Sequence, residues 1–186
     1  MSNKTTTIHV MIFGDDKIDK SSFLKNIEEL KIMSRKNENE ITFFGNVDLE
    51  NEKKLDCFLY VTNNNIQLKQ FAAKLTGLIL IFDPEKQKSL DFVEKVFNYT
   101  KKSKNLNNLY IIILGNKLGK TEINGKAKDF AEKNGIKYCD SNPENIEDII
   151  KEIYNSNQNK KQEINQKEDA PKENAKKSRD CCGCFK

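Results

Sequence analysis

The sequence predicts an α/β fold: a mostly parallel six-stranded sheet with helices on both faces, followed by a disordered C-terminal tail. Three observations carry this. Between residues 7 and 154, strand-like and helix-like stretches alternate, as parallel strands joined by crossover helices require. Two of the strand candidates, LTGLILIFD and NLYIIILGNK, are apolar enough to be covered on both sides. Amphipathic stretches lie between the strands, with apolar residues at helical spacing.

Taken in order, TTIHVMIF reads as the first strand and ends in a turn opened by Gly14. SSFLKNIEELKIM then puts Phe23, Ile27 and Leu30 on one helical face. ITFFGNVDL and KLDCFLYV flank ENEK and read as an antiparallel hairpin. IQLKQFAAKL is a short helix and LTGLILIFD a buried strand. SLDFVEKVFNYTKK is amphipathic, with Leu90, Val93 and Phe97 inward, and NLYIIILGNK is the second buried strand. KAKDFAEKNG ends on Asn134-Gly135, a helix stop, and IKYCD is a short last strand. NPENIEDIIKEIY opens with Asn142 as cap and Pro143 at the first helical position, then buries Ile146, Ile149, Ile150 and Ile153. The order is β-α-β-β-α-β-α-β-α-β-α, and such a sheet binds ligands at the carboxyl ends of its strands.

The bulk numbers agree with one domain and a tail. Of 186 residues, 37% are apolar and 32% charged. The domain takes residues 1–155, and a polar arm of residues 156–180 with one isoleucine and no other large apolar residue should be disordered. A cysteine-rich end occupies residues 181–186. A net charge of +4, drawn from many charges of both signs, gives no argument for a nucleic-acid partner. No apolar run approaches the about 18 residues of a membrane span, and the N-terminus has no secretory core, so an intracellular protein is expected. Cys57 and Cys139 stand singly in apolar contexts and read as small core residues; His9 reads as a strand residue. Lys101, Lys102 and Lys104 read as a solvated helix end.

The turn after the first strand is GDDKIDKSS, residues 14–22, with the outline G-x-x-x-x-G-K-[ST] of a phosphate loop. Such a loop converges backbone N–H groups on an anion at a helix N-terminus, its lysine reaches the β- and γ-phosphates, and the following hydroxyl ligates Mg²⁺. Gly14, Lys20, Ser21 and Ser22 are in place, but Asp19 stands where the second glycine belongs. At about 5 Å and an effective dielectric of about 20, each opposed unit charge costs roughly 3 kcal/mol. Lys17 offsets part of this. From these nine residues alone, a plain β-turn-α connection capped by Asp19 or Ser21 fits equally well.

The residues that follow carry a resemblance. LTGLILIFDPEKQKSLDFVEKV at residues 75–96, ILGNK at 113–117 and YCDSNPENIEDII at 138–150 resemble, in order and distance, motifs of the Ras-superfamily small GTPases. The terminal CCGCFK after a polar arm is similar to the prenylated tails of the Rab branch. The chain is identified as a divergent Rab-like small GTPase, which implies the P-loop small-GTPase-type fold, GTP/GDP and Mg²⁺ as cofactors, and effector and regulatory proteins as partners.

Carried over by position, the resemblance implies that Gly14, Lys17, Asp19, Lys20, Ser21 and Ser22 form the phosphate side, with Ser21 on Mg²⁺. Asn116 and Lys117 order the base-binding loop, and Gly119 replaces the family's guanine-reading acid. Cys139, Asp140 and Ser141 fall on the S-A-K stretch. The D-T-A-G-Q segment aligns with Val61-Thr62-Asn63-Asn64-Asn65, which lacks the acid that supports Mg²⁺; Asn65 takes the glutamine's place and is one methylene short. Thr42 and Asn37 are the two candidates for the threonine that closes over Mg²⁺. Intrinsic GTP hydrolysis is therefore expected to be weak or absent. An alternative is a membrane-anchored pseudo-GTPase that serves as an interaction module. Prenylation of Cys181, Cys182 and Cys184 implies a lipid-anchored protein on the cytoplasmic face of intracellular membranes, cytosolic when extracted.

Overall fold

A computed structural model describes residues 6–20, 24, 30–37, 40–49, 54–106, 108–116, 121–139 and 146–168, with side chains as far as residue 159. The elements are β1 (Thr6–Gly14), β2 (Lys31–Asn37), β3 (Glu40–Asp48), β4 (Lys54–Thr62), α1 (Asn65–Phe71), β5 (Gly77–Phe82), α2 (Gln87–Lys102), β6 (Tyr110–Gly115), α3 (Glu122–Lys133), β7 (Lys137–Cys139) and α4 (Ile146–Glu168). The strands form one sheet in the order β2-β3-β4-β1-β5-β6-β7. β4, β1, β5, β6 and β7 are mutually parallel, and β3 is antiparallel to both its neighbours. The fold class holds as expected, α/β with a mostly parallel sheet.

Alternation along each strand splits the core between the two faces. Ile8, Val10 and Ile12 of β1 join Leu59, Ile79 and Ile112 beneath α4, whose Ile146, Ile149, Ile150 and Ile153 are all buried. Met11 and Phe13 point the other way, to Leu78, Leu80 and Ile113 under α2 and α3. Gly135 takes a φ of 62° just beyond α3, the left-handed stop expected of Asn134-Gly135. On the α1 side, His9 stacks on Phe58 at 5.0 Å, and its Nδ1 lies 2.8 Å from Tyr60 Oη.

Two expectations need correction. The sheet has seven strands, not six, because Lys31–Asn37 pairs antiparallel with β3 at the edge. The helix expected over 21–33 therefore does not include its last four residues, Leu30 among them, while 21–23 and 25–29 lie outside the described residues. All seven β2 residues are exposed, so backbone pairing with β3 holds the strand rather than a buried face. The second correction concerns the arm. α4 continues through Glu168, across residues expected to be disordered. No proline or glycine interrupts residues 146–168, and Gln, Glu and Lys are good helix formers. Asn157 holds the continuation: its Nδ2 donates to Thr76 O at 2.9 Å and to Ile153 O at 2.7 Å. The expected cap at Asn142 and Pro143, and the rest of the arm beyond 168, lie outside the described residues.

Candidate functional site

Five parallel strands bring their carboxyl ends to one edge, where Gly14, Lys17, Asp19, Lys20, Asn65, Asn116 and Cys139 lie among the described residues. β1 ends at Gly14, opposite Ile81 of β5. A Cβ at Gly14 would sit 2.8 Å from Ile81 O, so the close approach of the β5 backbone requires glycine there. The turn is pinned below by Ile18, 3% exposed in the core, and from within by its own hydrogen bonds. Asp15 accepts from Lys17 N at its carboxylate, 3.2 Å, and from Ile18 N at its carbonyl, 3.2 Å. Lys20 N donates to Ile18 O at 2.9 Å.

Lys20 is 2% exposed, and its Nζ donates to Asp15 O at 2.7 Å and Ile18 O at 3.4 Å. Burial lowers its pKa, and the carboxylates of Asp16, Asp15 and Asp19 act against that fall. Lys17 and Asp19 are exposed on the turn. The loop thus contains the ammonium and the backbone donors that a phosphate needs. The N–H groups of Lys17, Ile18 and Lys20 are turned inward on the chain's own oxygens. These residues fit a nucleotide's phosphates in kind. Ser21 and Ser22 lie outside the described residues. No group of three or more His, Cys, Asp or Glu is placed to hold a metal among the described residues.

On the other side of β5, Asn116 follows β6, half-buried, and its N–H donates to Phe82 O at 2.8 Å. One strand therefore separates it from the Gly14 turn, about 10 Å at ordinary strand spacing. Asp83, 4% exposed, ends the intervening strand; its Oδ1 accepts from Glu85 N at 3.1 Å and its Oδ2 from Lys86 Nζ at 2.6 Å. Cys139 closes β7 at the same edge, half-buried. Lys117, Gly119, Asp140 and Ser141 lie outside the described residues. Thr121 was not anticipated: it caps α3, accepting from Asn124 N at 3.2 Å, while its hydroxyl donates to Pro84 O at 2.9 Å. A threonine followed by Glu122 in the first turn was the available signal.

The segment after β4 completes the edge. Thr62 is fully buried, and its Oγ1 accepts from Asn64 N at 3.0 Å. Asn64 caps α1, and Asn65 opens that helix on its exposed side. Of the two threonine-position candidates, Thr42 lies inside β3, paired with Ser34 and Tyr60, and Asn37 ends β2 opposite Glu40. An open cleft of about 610 Å³ runs beside the loop, lined by Asp15, Asp16, Asn63, Lys88, Asp91 and Phe92 among others. Its lining draws on α2, and Asn116 is not part of it. Cys57 is a core residue as expected: it is fully buried, and burial pushes its thiol pKa up to about 12.

Against this geometry, the family model of the Ras family matches residues 63–161, slightly more than half of the chain. The match runs from the segment after β4 into α4. No curated protein matches the chain.

Proposed function

Because the chain belongs to the Ras family of small GTP-binding proteins, we propose that it is a Rab-like member. In this reading it is tethered to the cytoplasmic face of an intracellular membrane by its C-terminal cysteines and regulates vesicle trafficking through effector and regulatory proteins. The observation that supports nucleotide binding is the shared edge: the buried Lys20 turn and Asn116 stand one strand apart at the carboxyl ends of β1 and β6. Lys20 would balance the phosphate charge and Ser21 would reach Mg²⁺. Asn116 and Lys117 would order the loop beside the base. Mg²⁺ supplies charge neutralisation between the phosphates.

A second reading within the family rests on a specific observation. Lys20 Nζ is bonded to two carbonyls of its own loop, and Asp15, Asp16 and Asp19 surround it. That arrangement favours a pseudo-GTPase that holds nucleotide weakly and acts through its surface. One experiment separates the two. The purified protein is denatured and the supernatant assayed for guanine nucleotide, with titration calorimetry of GDP and Mg²⁺ on the wild type and on Lys20→Ala. Released nucleotide, or binding that Lys20→Ala abolishes, supports the switch. No nucleotide and no heat leave the interaction module.

A further inference from the structure

At the end of the sheet edge farthest from Asn116, a buried carboxylate ties together three elements that sequence reasoning left unconnected. Glu40, the first residue of β3, is 9% exposed. Its Oε1 accepts from Asn64 Nδ2 at 3.1 Å. Its Oε2 has no well-aligned donor but is met by the Lys36 ammonium of β2 at 3.0 Å. Asn64 is used at both ends: while Nδ2 reaches Glu40, Oδ1 accepts from Ile66 N at 2.8 Å and caps α1.

A carboxylate withdrawn from water is stable only where donors converge on it, and hydrogen bonds to an ionised acceptor are about twice as strong as neutral ones. Here the contacts come from Lys36 of β2 and from Asn64, which follows β4 and caps α1. α1 has only seven residues; Leu68 is buried and Phe71 stacks on Tyr60 at 4.3 Å, so packing anchors its middle and end, while its start is held by Asn64 and Glu40.

We infer that Glu40 is a positioning residue, a latch that holds the start of α1 against the β2–β3 hairpin from within the chain. The helix, and with it the exposed Ile66, is then fixed in place without any bound nucleotide. Ile66 is 62% exposed, so the latch keeps an apolar side chain presented to solvent at a constant position. The inference does not depend on whether the Gly14 loop binds nucleotide.

The test uses the polarity of the Glu40–Asn64 bond. Asn64→Asp keeps an acceptor for Ile66 N, and aspartate is as good a helix cap as asparagine. It replaces the donor with a second carboxylate facing Glu40. Amide hydrogen exchange is read over residues 65–71 in the full chain, stripped of nucleotide, at neutral pH. Asn64→Asp is expected to speed exchange about tenfold. The double variant Glu40→Gln with Asn64→Asp rebuilds the bond in reverse, the new amide donating to the new carboxylate, and should return exchange to within about twofold of wild type. Wild-type exchange rates in Asn64→Asp would overturn the latch. So would a double variant that exchanges as fast as the single one, since a purely local effect on the helix cap has no reason to be rescued from β3.

Discussion

At the residue scale, two ionisable side chains carry measurable consequences: Asp19 in the Gly14 turn, and His9 in the amino-terminal half of β1. Asp19 is exposed on the phosphate-loop turn and is one of three carboxylates that act on Lys20. Asp19→Gly removes that charge and restores the usual glycine, leaving Lys20 and its loop bonds in place. Because the carboxylate is exposed, solvent screens most of the bare Coulomb term, and a gain of about tenfold in GDP affinity by calorimetry is expected. An unchanged affinity would mean that the closed turn, not the charge, limits binding. His9 gives a cleaner reading because it is the single histidine. Burial, and then the Lys74 charge, lowers its pKa. The folded state therefore favours the neutral ring, and stability is full above the unfolded value near 6.5. It declines as pH falls from about 6.5 toward the lowered folded pKa, and no further below it. The melting temperature should fall between pH 7 and pH 5.5 in the wild type, and His9→Gln should flatten this slope. Equal slopes in the two proteins would locate the titration elsewhere.

The elements show which parts of the fold the sequence could reveal. β5 and β6 were legible because burial on both faces leaves a continuous apolar run, and α2 because Leu90, Val93 and Phe97 repeat at helical spacing. β2 was not: KIMSRKN buries nothing, so no period-two pattern marks it, and the preceding LKNIEELKIM keeps a helical rhythm across the boundary. At the site, Lys20 and Asn116 could be found because motif spacing is local. Glu40 could not, because its bond to Asn64 spans 24 residues and no pattern in either segment announces it. The far half of α4 was missed for a related reason: it has helix formers but no apolar face to betray it. Its attachment depends on Asn157, which reaches across to Thr76 O at the start of β5. Asn157→Ala removes both bonds of that amide and should cost about 1 kcal/mol by urea unfolding, with faster amide exchange confined to residues 158–168. Exchange unchanged there would mean that helix propensity alone sustains the segment.

At the scale of the whole molecule, the proposed nucleotide site and the far end of α4 lie toward opposite edges of the sheet. The Gly14 turn and Asn116 lie at the carboxyl edge of the parallel strands. α4 begins after β7 and runs back across the sheet face, so that Asn157 meets Thr76, immediately before the amino end of β5. α4 therefore runs toward the edge opposite the candidate nucleotide site. Membrane attachment needs two lipid chains, since one gives only marginal, reversible binding. Residues 156–180 hold seven basic and five acidic side chains, so anionic lipid adds little. Replacing Cys181, Cys182 and Cys184 by serine should move the protein from the membrane pellet to the soluble fraction of its own cells, and a variant that keeps one of them should divide between the two. Because α4 runs toward the far edge, GDP affinity of the triple variant should stay within about twofold of wild type, the scatter expected of distant and independent sites. A triple variant that remains in the pellet would remove the lipid anchor from the proposal. One that leaves the membrane but loses nucleotide would mean that the two edges are coupled through α4, whose buried isoleucines lie directly beneath β1 and β5.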